Sequence, residues 1–196
     1  MNSPEWAETL QKKGFGITWC ASPESFHEAW AALAAETEEP IPVLCDAVTL
    51  PLLRQSPHVR WIAQPGDRDR LAASKVGVTG VSQLASRTGT LMLAEDNGLA
   101  RWVSNLPPRH VALVPLARVA ADWAAALANV RQARPERLPR VISWISGPSQ
   151  TADIAGRLVR GMHGPRQIEA WILAWEGAGA GPLILDQPCG DLVVPP

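Results

Sequence analysis

At 196 residues the chain is long enough for one well-packed domain and short for two. Hydrophobic residues make up 46% and charged residues 19%, a globular composition that excludes wholesale disorder. The 18 basic and 19 acidic side chains leave a net charge of −1, with no basic stripe of the kind that nucleic-acid binding requires.

Ser3-Pro4 reads as an N-cap followed by a proline at the first helical position, opening a helix to about Lys13 that Gly14-Phe15-Gly16 ends. Residues 17–20 form a short strand. Ser22-Pro23-Glu24 repeats the cap signal, and Phe26, Trp30 and Leu33 share one face of the helix that follows. Residues 42–45 and 59–63 are compact apolar strands, with a helix at 67–73. Residues 76–80 and 90–93 are extended, separated by a polar stretch of small residues. The continuous apolar run 111–114 suits a strand covered on both faces. Val119, Trp123, Leu127 and Val130 define the apolar stripe of a further helix, and residues 131–139 a polar linker. A strand at 141–145 is broken by Gly147-Pro148-Ser149, after which a helix is expected over 152–160. Residues 168–173 form the last strand, and the Gly- and Pro-rich tail is expected to loop over the surface.

Strands alternating with helices predict an α/β fold: a single domain, 1–196, with a mostly parallel sheet covered on both faces. Cys20, Cys45 and Cys189 are far apart, as are His27, His58, His110 and His163, so neither an iron–sulfur nor a zinc ligand spacing is present. Reduced, mostly buried thiols are expected. The nine tryptophans, among them Trp30, Trp123 and Trp171, read as core fillers. No apolar stretch reaches the roughly 18 residues of a membrane span. Met1 to Trp6 lacks a signal-peptide pattern, and a cytoplasmic protein is expected.

Three loops carry unusual chemistry. In Ser86-Arg87-Thr88-Gly89-Thr90, hydroxyls flank a glycine that lets a ligand approach the backbone; a tight turn is the alternative. Gly147-Pro148-Ser149-Gln150-Thr151-Ala152-Asp153 follows a strand and opens the expected helix, a place suited to a carboxylate or phosphate. Plain capping by Ser149 or Thr151, with Asp153 complementing the dipole, is the other reading. Gly161-Met162-His163-Gly164-Pro165 sets a histidine between glycines. Together these predict an anion site of Thr88, Gly89, Thr90, Gly147, Ser149, Thr151 and Gly164 near the carboxyl edge of the sheet. Arg87 is a further partner for a carboxylate, and His163 and Asp153 are the catalytic candidates. Gly177-Ala178-Gly179-Ala180-Gly181-Pro182 is a flexible turn and no dinucleotide loop, since no amphipathic helix follows it. No Walker loop or nucleophile elbow occurs.

Thr88-Gly89-Thr90-Leu91, Leu106-Pro107-Pro108-Arg109-His110-Val111, Gly147-Pro148-Ser149-Gln150-Thr151-Ala152-Asp153-Ile154 and Gly161-Met162-His163-Gly164-Pro165 resemble, in order, the signature of the LUD family. The resemblance covers about residues 76–175, with 1–75 as the amino-terminal part of the same domain. It implies a three-layer fold similar to the sugar-isomerase and coenzyme-A-transferase superfamily. It also implies a non-redox subunit of a lactate-utilization system, oxidising L-lactate to pyruvate beside iron–sulfur and cysteine-rich partner proteins. No cofactor is expected in the chain itself, and lactate or pyruvate is the implied small carboxylate. A stand-alone enzyme on a phosphorylated sugar or a coenzyme-A thioester, or a scaffold without any small-molecule site, are the alternatives. The chain departs from the family pattern at Arg87, where a glutamate is common, and at Ala155, where an acidic residue is.

Overall fold

The computed structural model describes residues 4–63, 68–152 and 158–185. Helix α1 (Glu5–Lys12) has Pro4 as its cap residue, while Ser3 lies outside the described residues. Strand β1 (Phe15–Cys20) follows at once. Helix α2 (Pro23–Ala35) opens on a full capping box: the Ser25 N–H donates to Ser22 Oγ at 3.3 Å and the Ser22 N–H to Ser25 Oγ at 3.0 Å. Next come β2 (Ile41–Leu44), the short α3 (Thr49–Leu53), β3 (Val59–Ile62), α4 (Arg68–Ala73) and β4 (Val76–Gly80). A compact insertion of β5 (Gln83–Ala85) and β6 (Thr90–Glu95) leads into α5 (Leu99–Asn105) and β7 (Arg109–Pro115). After β8 (Val119–Ala120), α6 (Trp123–Ala133), β9 (Val141–Ile145), β10 (Gln150–Ala152) and β11 (Leu158–Arg160), the chain returns to the main sheet as β12 (Gln167–Leu173).

Six strands in the order β1-β12-β7-β4-β2-β3 form the main sheet, every pairing parallel. The period-two alternation of its strands separates two apolar layers. Val111, Leu113 and Trp171 face Phe26, Trp30, Leu33 and Leu53 of α2 and α3. Ala112, Val114, Ala170 and Ile172 face Leu10, Leu71, Leu99 and Val103 of α1, α4 and α5. The result is a three-layer α/β architecture, as expected. A smaller sheet, β8-β5-β6-β9, adjoins the second layer through Leu84, Leu91 and Leu93, and its far face carries α6.

Four expectations are corrected. The helix expected over 152–160 is not found at its described residues, because β10 and β11 pair as antiparallel strands, Gln150 opposite Arg160 and Thr151 opposite Val159, while residues 153–157 lie outside the described residues. The Ser149 carbonyl, which would have to accept the first helical bond, instead accepts the Gly161 N–H at 2.9 Å. The helix expected from Val119 begins only at Trp123, where Asp122 accepts the Ala125 N–H at 2.9 Å. Its buried side is Ala126 and Val130, leaving Trp123 57% exposed rather than in the core. Finally, the tail is not merely a surface loop, since Ala178, Ile184 and Leu185 are buried.

Candidate functional site

The three sequence loops meet, but at the amino edge of the main sheet, beside the starts of β1, β7 and β12, and not at the carboxyl edge. Ser149 is the knot. Its N–H donates to the Pro165 carbonyl at 2.9 Å, its carbonyl accepts from Gly161, and its Oγ accepts the His163 N–H at 3.3 Å. Gly164 lies so close that a Cβ there would meet Ser149 Cβ at 3.4 Å. Gly147 has φ +141, and a Cβ would stand 2.6 Å from the Lys13 carbonyl, so only glycine lets this turn lean on the end of α1. Thr90 Oγ1 and Ser146 Oγ share a hydrogen bond of 2.8 Å, joining the first loop to the second. Gly89 is buried against Thr9 and Leu10 of α1.

Several predicted members stand apart from this knot. Arg87 is exposed, and its Nη1 lies 3.8 Å from Asp122 Oδ2. Thr88 Oγ1 is buried without a hydrogen-bond partner. Thr151 is half-buried in β10, away from any helix start. His163 is exposed. Asp153 lies outside the described residues. Gln150 to Ala152 run as a strand, so Ser149 and Thr151 do not stand at a helix start, and the Ser149, Thr90 and Ser146 polar atoms bond within the loops. What remains open is a cleft of about 660 Å³ lined by Lys12, Lys13, Ser146 and Gln150. On the same edge, Arg109 donates to Glu169 Oε1 at 2.6 Å and to Glu36 Oε2 at 2.5 Å. Burial works against that guanidinium's charge, but the two carboxylates outweigh it and hold it protonated.

The opposite edge holds polar groups that sequence reading passed over. Strand β2 leads outward to β3, whereas its neighbour β4 leads back across to β7. The carboxyl ends of β2 and β4 therefore flank a topological switch point, where open α/β sheets bind their ligands. Asp46, just beyond β2 and fully buried, bridges the two strands. Its Oδ1 accepts the Val48 and Thr49 N–H groups at 2.8 and 2.9 Å, and its Oδ2 the Gly80 N–H at 2.9 Å. Burial raises its pKa, opposed by those N–H donors and by the charge of Arg118.

Arg118 is 1% exposed. Its Nη1 donates to the Val81 carbonyl at 2.8 Å, and its Nη2 to the Gly179 and Pro182 carbonyls at 3.2 and 3.0 Å. Its Nε is buried with no acceptor. Desolvation lowers its pKa, with Asp46 opposing. Gly177-Ala178-Gly179-Ala180-Gly181-Pro182 is thus a strap laid over Arg118. A Cβ on Gly179, φ +74, would meet Pro115 Cγ at 2.3 Å; one on Gly181 would meet Ala47 Cβ at 2.9 Å. The strap therefore spans from the end of β7 to the end of β2. Both residues left a trace in the sequence: Asp46 closes an apolar strand, and Arg118 interrupts the apolar run from Val111 to Ala121 as a lone cation.

Between the edges, the fully buried His110 bonds Thr79 Oγ1 through Nε2 at 2.9 Å, while its Nδ1 has no partner. Burial pushes its pKa down to about 3. Burial likewise pushes the Cys20 thiol up to about 11. Among the described residues no group of three His, Cys, Asp or Glu side chains is placed to hold a metal ion, and no helix is long and apolar enough to cross a membrane.

Layering, strand order and a polar switch point define an open α/β domain of the ligand-crevice kind. Its lineage is more specific. The LUD domain model matches residues 4–173, and the chain belongs to the LUD-domain family. Over 91 residues it is 42% identical to lactate utilization protein C of Shouchella clausii, an alignment covering 46% of this chain and 40% of that protein. Against lactate utilization protein C of Halalkalibacterium halodurans it is 34% identical over 109 residues, covering 54% and 47%. The chain spans about half the length of the curated relatives it matches. The crystal structure of a DUF162-family protein from Deinococcus radiodurans superposes with a TM-score of 0.60 at 20% identity, covering 86% of this chain and 93% of that one, and shows the shared fold.

Proposed function

We propose that this protein serves lactate utilization as a subunit without a redox centre of its own, taking part in the oxidation of L-lactate to pyruvate beside iron–sulfur partner proteins in the cytoplasm. The observation that carries the reading is the 42% identity over 91 residues to a protein named for that process. The geometry supports it through Ser149, which ties together the loops that carry the family signature. Removing two electrons from lactate requires an acceptor, and no ordinary side chain takes up an electron pair reversibly; the partners supply it in this reading.

Reconstitution tests it. The purified chain is mixed with candidate iron–sulfur partner proteins from the same organism, and lactate-dependent reduction of an artificial acceptor dye is followed. Turnover that requires this chain together with its partners is the expected result. Full turnover by the partners without it, or turnover by this chain alone, sinks the proposal.

A further inference from the structure

We infer that the switch point between β2 and β4 is a latent binding site for a small monocarboxylate, with Arg118 as its anchor and the strap of residues 177–182 as a built-in occupant that the ligand displaces. A guanidinium is shaped for the paired oxygens of a carboxylate, and such charge-assisted bonds are about twice as strong as bonds to neutral acceptors. Arg118 makes only the weaker kind. Its acceptors are the Val81, Gly179, Gly181 and Pro182 carbonyls, its Nε has none, and no carboxylate lies within ion-pair distance of it among the described residues. A fully buried cation left in that condition is costly unless something else uses it.

Three of its four acceptors belong to the strap. The strap is thin, with Gly177, Ala180, Gly181 and Pro182 all exposed, and it is punctuated by glycines at positive φ. Lifting it uncovers the guanidinium at the place where the strand order makes a crevice. Asp46 shares that crevice and sets the ligand's charge. Beside a buried carboxylate, a monoanion is tolerated where a phosphate dianion is repelled. A 2-hydroxy or 2-oxo acid fits: its carboxylate replaces the strap carbonyls on Arg118, and its second oxygen stays free for a neighbouring donor. The ligand class agrees with the role proposed above, but the site stands on the geometry of Arg118.

The experiment titrates pyruvate into the whole chain by calorimetry, with phosphate in a parallel arm. Gly179→Ala unseats the strap, because its methyl group collides with Pro115, and leaves Arg118 intact. Pyruvate is expected to bind Gly179→Ala about tenfold more tightly than wild type, the strap no longer competing. Adding Arg118→Lys to Gly179→Ala abolishes that gain. In wild type, saturating pyruvate speeds hydrogen exchange at the Ala180 and Leu185 amides, which otherwise donate to the Gly177 and Ala94 carbonyls. This second arm decides the matter if Gly179→Ala does not fold. Unchanged exchange in wild type, a gain that survives Arg118→Lys, or displacement of the strap by phosphate and not by pyruvate would each overturn the inference. Because binding is read on the isolated chain, failure here leaves the role in lactate utilization standing, and failure of the reconstitution leaves the site standing.

Discussion

The two edges of the main sheet treat polar groups in opposite ways. At the amino edge the loops around Ser149 answer one another: hydroxyl to hydroxyl at Thr90 and Ser146, main chain to main chain at Ser149, Gly161 and Pro165. Even the half-buried Arg109 has two carboxylates. At the carboxyl edge Asp46 and Arg118 are both fully buried and bonded to neutral main-chain groups rather than to an ion-pair partner, and Arg118 Nε has no acceptor at all. The first arrangement holds chain segments together and leaves little for a ligand to improve. The second leaves charge under-compensated, which an incoming anion relieves. In this domain a conspicuous loop motif marks an internal fastening, and an inconspicuous pair of charges marks the place with chemistry to offer.

Breaking the carboxyl edge should hurt most. Asp46→Ala leaves three buried N–H groups without an acceptor and removes a charge that opposes the desolvation of Arg118, and a loss of about 4 kcal/mol in urea denaturation is expected. A loss below about 1 kcal/mol would show that water repairs the gap and that the contrast between the edges is overstated. Next in size is a pH effect from the middle of the sheet. His110 is neutral in both folded and unfolded chains above its ordinary 6.5. Below that, the unfolded chain takes up a proton that the folded one refuses until about 3, so stability falls as pH falls. The difference between wild type and His110→Gln should reach about 2 kcal/mol at pH 5, taking ~1.4 kcal/mol per pH unit. An equal slope in both proteins would mean that another group is responsible. The amino-edge fastening is worth less. Ser149→Ala removes only the bond from the His163 N–H, and about 1 kcal/mol is expected from its melting curve. At the small end, Arg87→Ala breaks a long, exposed ion pair with Asp122 and should change stability by less than about 0.5 kcal/mol. A larger loss would give Arg87 a part in the amino-edge knot.

What could be read from sequence follows what is local. The runs that became β2, β4, β7 and β12 each hold a compact apolar stretch, such as Val111 to Val114 and Ala170 to Leu173, and Ser22-Pro23 carries its own cap chemistry, so these elements announce themselves. Helix α5 does not. Its cap residue is Gly98 with no side-chain bond, and its free N–H groups at Ala100 and Arg101 are met by Glu95, buried at the end of β6. Trp123 misled because its spacing suits a stripe whose buried members prove to be alanine and valine. Ser149 and Thr151 misled because capping residues also precede strands, where a partner chain segment takes the carbonyls. That the three loops gather was legible in outline; which edge they gather on depends on strand order, which no local pattern encodes. Asp46 and Arg118 are separated by more than seventy residues, and the strand order β7-β4-β2 makes them neighbours across one crevice.

The pairing of β1 with β12 has a consequence for how the protein comes into being. Within the main sheet β1 touches no strand but β12, and β12 is the last strand of the described chain. On a ribosome adding about 5–20 residues per second, β1 emerges about 7 to 30 seconds before its partner. For that interval Phe15-Gly16-Ile17-Thr18-Trp19-Cys20 has an unpaired backbone and apolar side chains, covered at best by α1 and α2. Closure of the sheet by β1 and β12 is then a late event with a large loop to bring together, the kind of non-local pairing that slows folding.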